Sequence, residues 1–462
     1  MTCKHAMVTL TLIAMLGCAA GAGEGPAKTP GPLVKDFMGI NVHTVQFNPD
    51  LYRPVVRLVR DYHPVEWDLA GGTSAGPVFP MTREPITWKD DSGKVGDHSG
   101  KVDWQKLYSN WKAKGIEVDA CLQFGGLTVD KWDNVEEDAY NYGKAFAEYF
   151  GPSGNALVTS VDVGNEPTGA KRFTSEQYLR VFKAMAKGLR EGDPKLTILT
   201  ATTQAGRADQ WSVPTEIFAD HGDLYDVLNV HVYSLVEGWP TWRRSYPEDP
   251  EIEYLKIVQR TIDWRDAHAP DKEVWVTEFG YDASTQQPTG NMAKWVDVSD
   301  PVQAQWLIRS YLELARMGIT RAYMYWFNDS DTPSFHAASG IMRFNTPKMS
   351  FWAMKQMQET LGEYRFSRIV KQDVGELYVY EFVRGDDATD AVWVAWSPTG
   401  LTNRTGRNLV KPVTLDVPGQ VVSAQGMATK EGETPAVEFQ AGEGVVTLGV
   451  SESPVYLRLK LQ

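Results

Sequence analysis

Val163-Gly164-Asn165-Glu166-Pro167 and Val276-Thr277-Glu278-Phe279-Gly280 each place a glutamate at the end of an apolar, β-branched run. Runs of that kind read as strands buried on both faces, the pattern of a parallel sheet. A carboxylate that follows the run stands at the rim of the sheet. The interval 278 − 166 = 112 residues leaves room for about three strand–helix units, taking roughly 250 residues for eight. The two strings are therefore read as the fourth and seventh strands of a (β/α)8 barrel, with both glutamates at one mouth.

Six further runs complete the count: Phe37 to Val42, Val56 to Arg60, Val118 to Gln123, Leu196 to Thr200, Val227 to Val232 and Arg321 to Trp326, with the fourth strand spanning Leu157 to Val163 and the seventh Val274 to Thr277. Amphipathic segments fall between them, the alternation of βαβ units. The clearest helix is Pro301 to Met317, where Ala304, Leu307, Ile308, Tyr311 and Ala315 form one stripe. Asp300 is expected to cap it, Pro301 to sit in its first turn and Gly318 to stop it. Leu179, Phe182, Met185, Ala186 and Leu189 repeat the pattern after the fourth strand. The second strand is followed by a long insertion, His63 to Val102, that carries Trp67, Phe79 and Trp88. Loops of that length are commonly functional, and large aromatics there fit either a substrate wall or anchors to the barrel rim. Past Leu361 the period changes to two, as in Tyr378, Tyr380, Phe382 and Val392, Val394, Trp396, and Val445 to Leu461 reads as a last hairpin. The organisation expected is a leader over 1–22, a Gly/Pro/Lys-rich spacer over 23–34, a (β/α)8 TIM barrel over 35–360 and a small C-terminal all-β sandwich domain over 361–462.

A chain of 462 residues exceeds one ordinary core, in keeping with a barrel plus an accessory unit. Its net charge of −13 and the lack of a basic cluster argue against nucleic acid as a partner. Lys4 and His5 precede an apolar run from Ala6 to Leu16, and no acidic residue appears before Glu24. That is the pattern of an export signal, too short to be a spanning helix. The mature protein is expected outside the cytoplasm, whether periplasmic, secreted or held at the outer membrane. Cys18 fits the acylated cysteine of a lipoprotein and fits equally a small residue beside an ordinary cleavage site. Cys121 is then the one cysteine of the folded region, so no internal disulfide is available. It lies in a buried-looking run, as an inert packed thiol would.

In a parallel barrel, polar residues at the C-terminal strand ends face the mouth. By that rule Asn41, His43, Arg60, His63, Gln123, Asn165, His231, Tyr233 and Trp326 ring the two glutamates. Two carboxyl groups converging on one point are what cleavage of a glycosidic bond demands. One protonates the departing oxygen and the other attacks, or stabilises, the anomeric carbon. His43 and His63 do not form a short-spaced ligand set, and neither a metal nor another cofactor is expected. Each residue also has a plainer reading: strand-end polar groups often only order loops, and Arg60 has Asp61 at hand for a structural ion pair.

Over roughly residues 35 to 360, Asn165-Glu166-Pro167 together with Thr277-Glu278-Phe279-Gly280 resembles the retaining glycoside hydrolases of clan A. The Thr-Glu-Phe-Gly context resembles family 5, whereas the appended β domain with Ser453-Pro454-Val455-Tyr456-Leu457 is similar to family 39. The resemblance implies that Glu166 is the general acid/base and Glu278 the nucleophile. It further implies that Asn165 holds the sugar 2-hydroxyl, Tyr233 hydrogen-bonds the nucleophile, Arg60 keeps it ionised and Trp326 floors the subsite before the cut. The substrate would be a β-linked polysaccharide or oligosaccharide. The alternative is a non-catalytic carbohydrate-binding protein on the same barrel, although a degenerate enzyme would be expected to have lost one of the two carboxylates.

Overall fold

The computed structural model describes residues 30–42, 48–89, 97–206 and 209–461, without the side chains of residues 88, 89, 97 and 98. The leader, Cys18, His43 and the Trp88 side chain lie outside the described residues. Eight parallel strands close a barrel: β1 (Met38–Asn41), β2 (Leu58–Pro64), β3 (Glu117–Gln123), β4 (Ser160–Val163), β5 (Thr197–Gln204), β6 (Val227–His231), β7 (Glu273–Phe279) and β8 (Ala322–Met324). The hydrogen-bonded order runs β4-β3-β2-β1-β8-β7-β6-β5 and closes where Ser160 of β4 faces Thr197 of β5. All eight expected strands are in place. β2 runs four residues beyond Arg60, and that extension matters for the site.

Helices α1 (Trp104–Ala113), α2 (Val135–Phe150), α3 (Ser175–Gly192), α4 (Tyr254–His268), α5 (Asp300–Arg316) and α6 (Met349–Leu361) cover the barrel. Between β5 and β6 only a 3₁₀ turn, Thr215–Phe218, takes the place of a helix. α3 starts with a capping box, in which Gln177 N–H donates to Thr174 Oγ1 and the Gln177 side chain accepts from Thr174 N–H. At α5 the N-cap is Ser299, not the expected Asp300, because the Asp300 carboxylate turns away to meet the Arg343 guanidinium at 2.9 Å. Gly318 ends that helix region at φ 78°, a conformation that favours glycine.

The C-terminal strands are β9 (Tyr364–Asp373), β10 (Leu377–Arg384), β11 (Asp390–Trp396), β12 (Lys411–Asp416), β13 (Gly419–Gly426), β14 (Phe439–Gly442), β15 (Val445–Val450) and β16 (Val455–Leu461). They form a five-stranded antiparallel sheet, β9-β10-β11-β16-β13, and a three-stranded one, β12-β15-β14. The period-two alternation explains the layering. Val379, Trp393 and Leu457 face the smaller sheet, while Tyr378, Tyr380, Val394, Trp396 and Tyr456 pack with the barrel core on the other side. The closing run is not a hairpin: β15 pairs with β12 and β14, and β16 pairs with β11 and β13. Ser451 to Pro454 carry the chain from one sheet to the other, and buried Glu452 on that crossing sits 3.3 Å from Arg309 of α5. Arg309 also pairs with Glu248, which accepts from the Trp396 indole at 2.6 Å. No helix among the described residues is long and apolar enough to cross a membrane.

Candidate active site

The polar ring begins with Arg60, which is wholly buried inside the barrel. A buried guanidinium needs partners along its whole planar fork. Its Nε donates to Asp162 Oδ2 at 2.6 Å, Nη1 reaches Asn41 Oδ1 at 2.9 Å and Glu278 Oε1 at 3.0 Å, and Nη2 reaches Asn165 Oδ1 at 2.9 Å and the Cys121 sulfur at 3.1 Å. One side chain thus ties β1, β2, β3, β4 and β7 together beneath the mouth. Cys121 is a packed thiol whose pKa burial pushes well up, in keeping with an inert role.

Glu278, the last residue but one of β7, is buried. Tyr62 donates to its Oε1 at 2.7 Å and Tyr233 to its Oε2 at 2.9 Å. Burial alone would raise its pKa, but the electrostatic pull of His231 and Arg60 and the hydrogen bond from Tyr62 outweigh that and hold it at about 2. Glu166, whose side chain is 26 % exposed, shifts the other way. Burial is the main cause and the neighbouring charge of Glu278 adds to it, against the hydrogen bond from His231. His231 stands between the two, its Nδ1 3.1 Å from Glu166 Oε1 and 3.5 Å from Glu278 Oε2, while its Nε2 meets Thr277 Oγ1 at 3.0 Å. One oxygen of each glutamate and a ring nitrogen of His231 all lie within 4.8 Å of one another. By residue type this trio could ligate a metal ion. Both oxygens of Glu278 are already taken by Arg60, Tyr62 and Tyr233, however, and a fixed cation beside the trio opposes a second one.

Glu166 opens onto a cleft of about 620 Å³ lined by Gln123, Asn165, Glu66, Trp67, Arg172 and Trp211 among others. Gly164, at φ 93°, turns the chain from β4 so that Asn165 and Glu166 face that cleft, and a side chain there would press on Phe124 at 3.1 Å. The sequence-predicted residues separate into groups by position. Glu166, Glu278, Arg60, Asn165, His231 and Tyr233 come together, and Gln123 lines the cleft. Asn41 is fully buried below them, donating to the Thr277 and Met324 carbonyls at 2.8 and 3.2 Å while accepting from Arg60, so its contacts are with the barrel and not with the open mouth. His63 is likewise sealed: Asp68 and Tyr108 hold its two nitrogens at 2.7 and 2.8 Å, and Trp104 stacks on its ring at 4.0 Å. That burial pins the start of the long insertion. Trp326 follows β8, half-buried against Tyr325 with ring centroids 5.4 Å apart.

Tyr62 was not among the expected residues. It shares a strand face with Arg60 at the two-residue period, so a strand read as far as Pro64 would have exposed it. Asp162, two positions before Gly164 in Val161-Asp162-Val163, is an acid inside an apolar strand and is itself the signal of an internal partner. Nothing in the sequence singled out Tyr325 or His336, which follow β8 and reach the same mouth.

No family model matches the sequence, and no curated protein matches it. Solved structures do. A family 39 glycoside hydrolase from the gut symbiont Bacteroides cellulosilyticus superimposes with a TM-score of 0.66 at 18% identity, covering 92% of this chain and 80% of the other. A glucosidase from Croceicoccus marinus gives 0.61 at 12% identity, with 94% and 98% covered. A family 51 α-L-arabinofuranosidase from Bifidobacterium longum gives 0.60 at 13%, with 93% and 97% covered. At such identities the likeness is one of fold. The shared fold takes in the barrel and the appended β domain together, since the superpositions cover 92–94% of this chain.

Proposed function

We propose that this protein is a retaining glycoside hydrolase that cleaves a β-glycosidic bond in a polysaccharide or oligosaccharide by double displacement. The observation that carries this reading is the pair Glu166 and Glu278, within 4.8 Å at their nearest described approach and driven in opposite directions in pKa. Retaining enzymes hold their carboxyls roughly 5–5.5 Å apart, whereas inverting enzymes leave about 6.5–9.5 Å for a water. Two titratable groups pushed apart by their surroundings divide the work between acid and base. Glu278, ionised and fixed by Arg60, Tyr62 and Tyr233, attacks the anomeric carbon from one face. Glu166, whose pKa burial raises, gives its proton to the departing oxygen and then takes one from the water that releases the sugar. Asn165, held through Arg60, is the donor for the 2-hydroxyl, and Trp326 gives an aromatic floor.

The neighbours' names span a glucosidase and an arabinofuranosidase, so the fold by itself does not name the sugar. The mechanism has a direct readout. NMR of the first product released from an active substrate on a polysaccharide and aryl-glycoside panel should show the anomer of the substrate, and inversion would overturn double displacement. The export signal joins this proposal: the processed protein should begin near residue 23 after ordinary cleavage, whereas a mature N-terminus at a lipid-modified Cys18, read by mass spectrometry, would mark the lipoprotein form.

The long insertion contributes to the cleft through Trp67. One face of its ring lies over Trp104, with centroids 6.1 Å apart and planes 15° from parallel, and the residue lines the same cleft as Glu166. Phe79 instead packs inward against Phe146 and Phe150, an anchor and not a platform. Trp67→Ala is expected to cost about 1 kcal/mol of binding to extended substrates, roughly fivefold in kcat/KM, while a short aryl glycoside is scarcely affected. Equal losses on both, with a lowered Tm, would make Trp67 an anchor too.

A further inference from the structure

The loop after β8 brings His336 over the nucleophile's partners. Its ring centroid is 4.3 Å from that of Tyr233, the residue that donates to Glu278, and 5.7 Å from that of Tyr325. The backbone there is left-handed, at φ 67°. A non-glycine residue holds that conformation only when its surroundings impose it, and such residues gather at functional sites. The surroundings are visible. Phe335 stacks on Trp242 at 4.3 Å, the Arg244 guanidinium lies over the rings of both Phe335 and Tyr233, Asp282 fixes Arg244 at 2.6 Å, and Ser339 donates to the His336 carbonyl at 2.9 Å. The imidazole is half-buried. Its Nδ1 is sealed without a hydrogen-bond partner among the described residues, which leaves Nε2 as the nitrogen able to meet a ligand. No step of the two-carboxylate chemistry uses it.

We propose that His336 is a substrate-contact residue: it hydrogen-bonds a ring hydroxyl of the sugar held at Glu278 and so selects among sugars that differ at that hydroxyl. This rests on the glycosidase reading. Burial and the Arg244 charge drive the imidazole pKa down to about 3, against the pull of Glu278, so the ring stays neutral through the working range. With Nδ1 sealed, a neutral ring presents Nε2 as a donor or an acceptor according to its tautomer, a sugar hydroxyl can match either, and the ring adds no second cation beside Arg244. A site built around such a bond discriminates strongly against sugars that cannot make it.

The test uses 4-nitrophenyl β-glycosides of gluco-, galacto-, manno-, xylo- and fuco-configured mono- and disaccharides, together with monodeoxy analogues of the best of them. Wild-type protein should lose activity on one monodeoxy analogue more than on the rest. His336→Ala should lower kcat/KM on the parent glycoside by about tenfold to a hundredfold, should lose nothing further on that one analogue, and should flatten the ranking of the five sugars. His336→Gln, which keeps a donor and an acceptor, should recover part of the loss, and it serves in place of the alanine variant should that one fold poorly. A uniform loss on every substrate, or activity within twofold of wild type, would overturn the role of His336 and leave the glycosidase reading standing. A wild-type protein that cleaves none of the panel and no polysaccharide would overturn both.

Discussion

Glu278→Gln is expected to abolish turnover on every substrate, a loss of roughly ten thousandfold or more, the scale seen when a covalent nucleophile is removed. An amide cannot attack the anomeric carbon, and it carries no charge to stabilise the carbon's positive character in the transition state. The loss should be equal for good and poor leaving groups, because no protonation can compensate for a missing nucleophile. The fold should persist, since the tyrosine hydroxyls of Tyr62 and Tyr233 can turn to accept from the new amide and Arg60 retains Asp162 at 2.6 Å. A pH titration of stability adds an independent check. The folded-state pKa of Glu278 is depressed from 4.5 to about 2, so its contribution to stability is present above pH 4.5 and lost as pH falls toward 2. Wild-type protein should therefore lose more stability than the glutamine variant across that window. Substantial residual activity in the variant would transfer the nucleophile's role elsewhere.

Glu166→Ala should fail selectively. On substrates with poor leaving groups the loss should reach about a hundredfold to ten thousandfold, the usual worth of a positioned general acid. On a 2,4-dinitrophenyl glycoside, whose leaving group needs no proton, formation of the glycosyl-enzyme should stay fast while its hydrolysis slows. Azide fits the space left by the carboxylate, needs no deprotonation, and should restore turnover with a β-glycosyl azide as the product. The pH profile carries the same division. In the wild type the acid limb belongs to Glu278 and lies low, and the alkaline limb follows Glu166, whose pKa burial raises; activity falls as pH rises through that value because the acid loses its proton. The alanine variant should lose the alkaline limb on activated substrates. Equal losses on all substrates without azide rescue would contradict the assignment.

The barrel was legible because its strands are apolar on both faces and its glutamates sit where those runs end, so that Val161 to Glu166 and Val274 to Glu278 carry fold and site in one reading. The sandwich was legible from the period of two in Tyr378, Tyr380 and Phe382, but the partners of Val445 to Val450 were not. Strand pairing between sheets depends on which edge is free, and local sequence favours the nearest neighbour. The failed cap at Asp300 has the same origin: a distant guanidinium, Arg343, outcompetes the helix end for the carboxylate.

His63 and Asn41 show the limit within the site. Both are polar residues at strand ends, like Asn165 and His231, and nothing in the local chain distinguishes them. Only packing does, because α1 and α2 bring Trp104, Tyr108 and Phe146 down over His63, while β7 and β8 supply carbonyls to Asn41.

By itself the sequence determined the strand periodicity, the barrel and the two glutamates, since each follows from hydrophobic pattern and position along one run. Tertiary structure decided the rest: the six-partner fork of Arg60, which also donates to the Tyr62 hydroxyl, the Tyr62 bond to Glu278, the opposed pKa shifts of the pair and the placing of His336. Those depend on distances between residues far apart in the chain, and on how deeply each charge is buried, quantities that exist only once the barrel has closed.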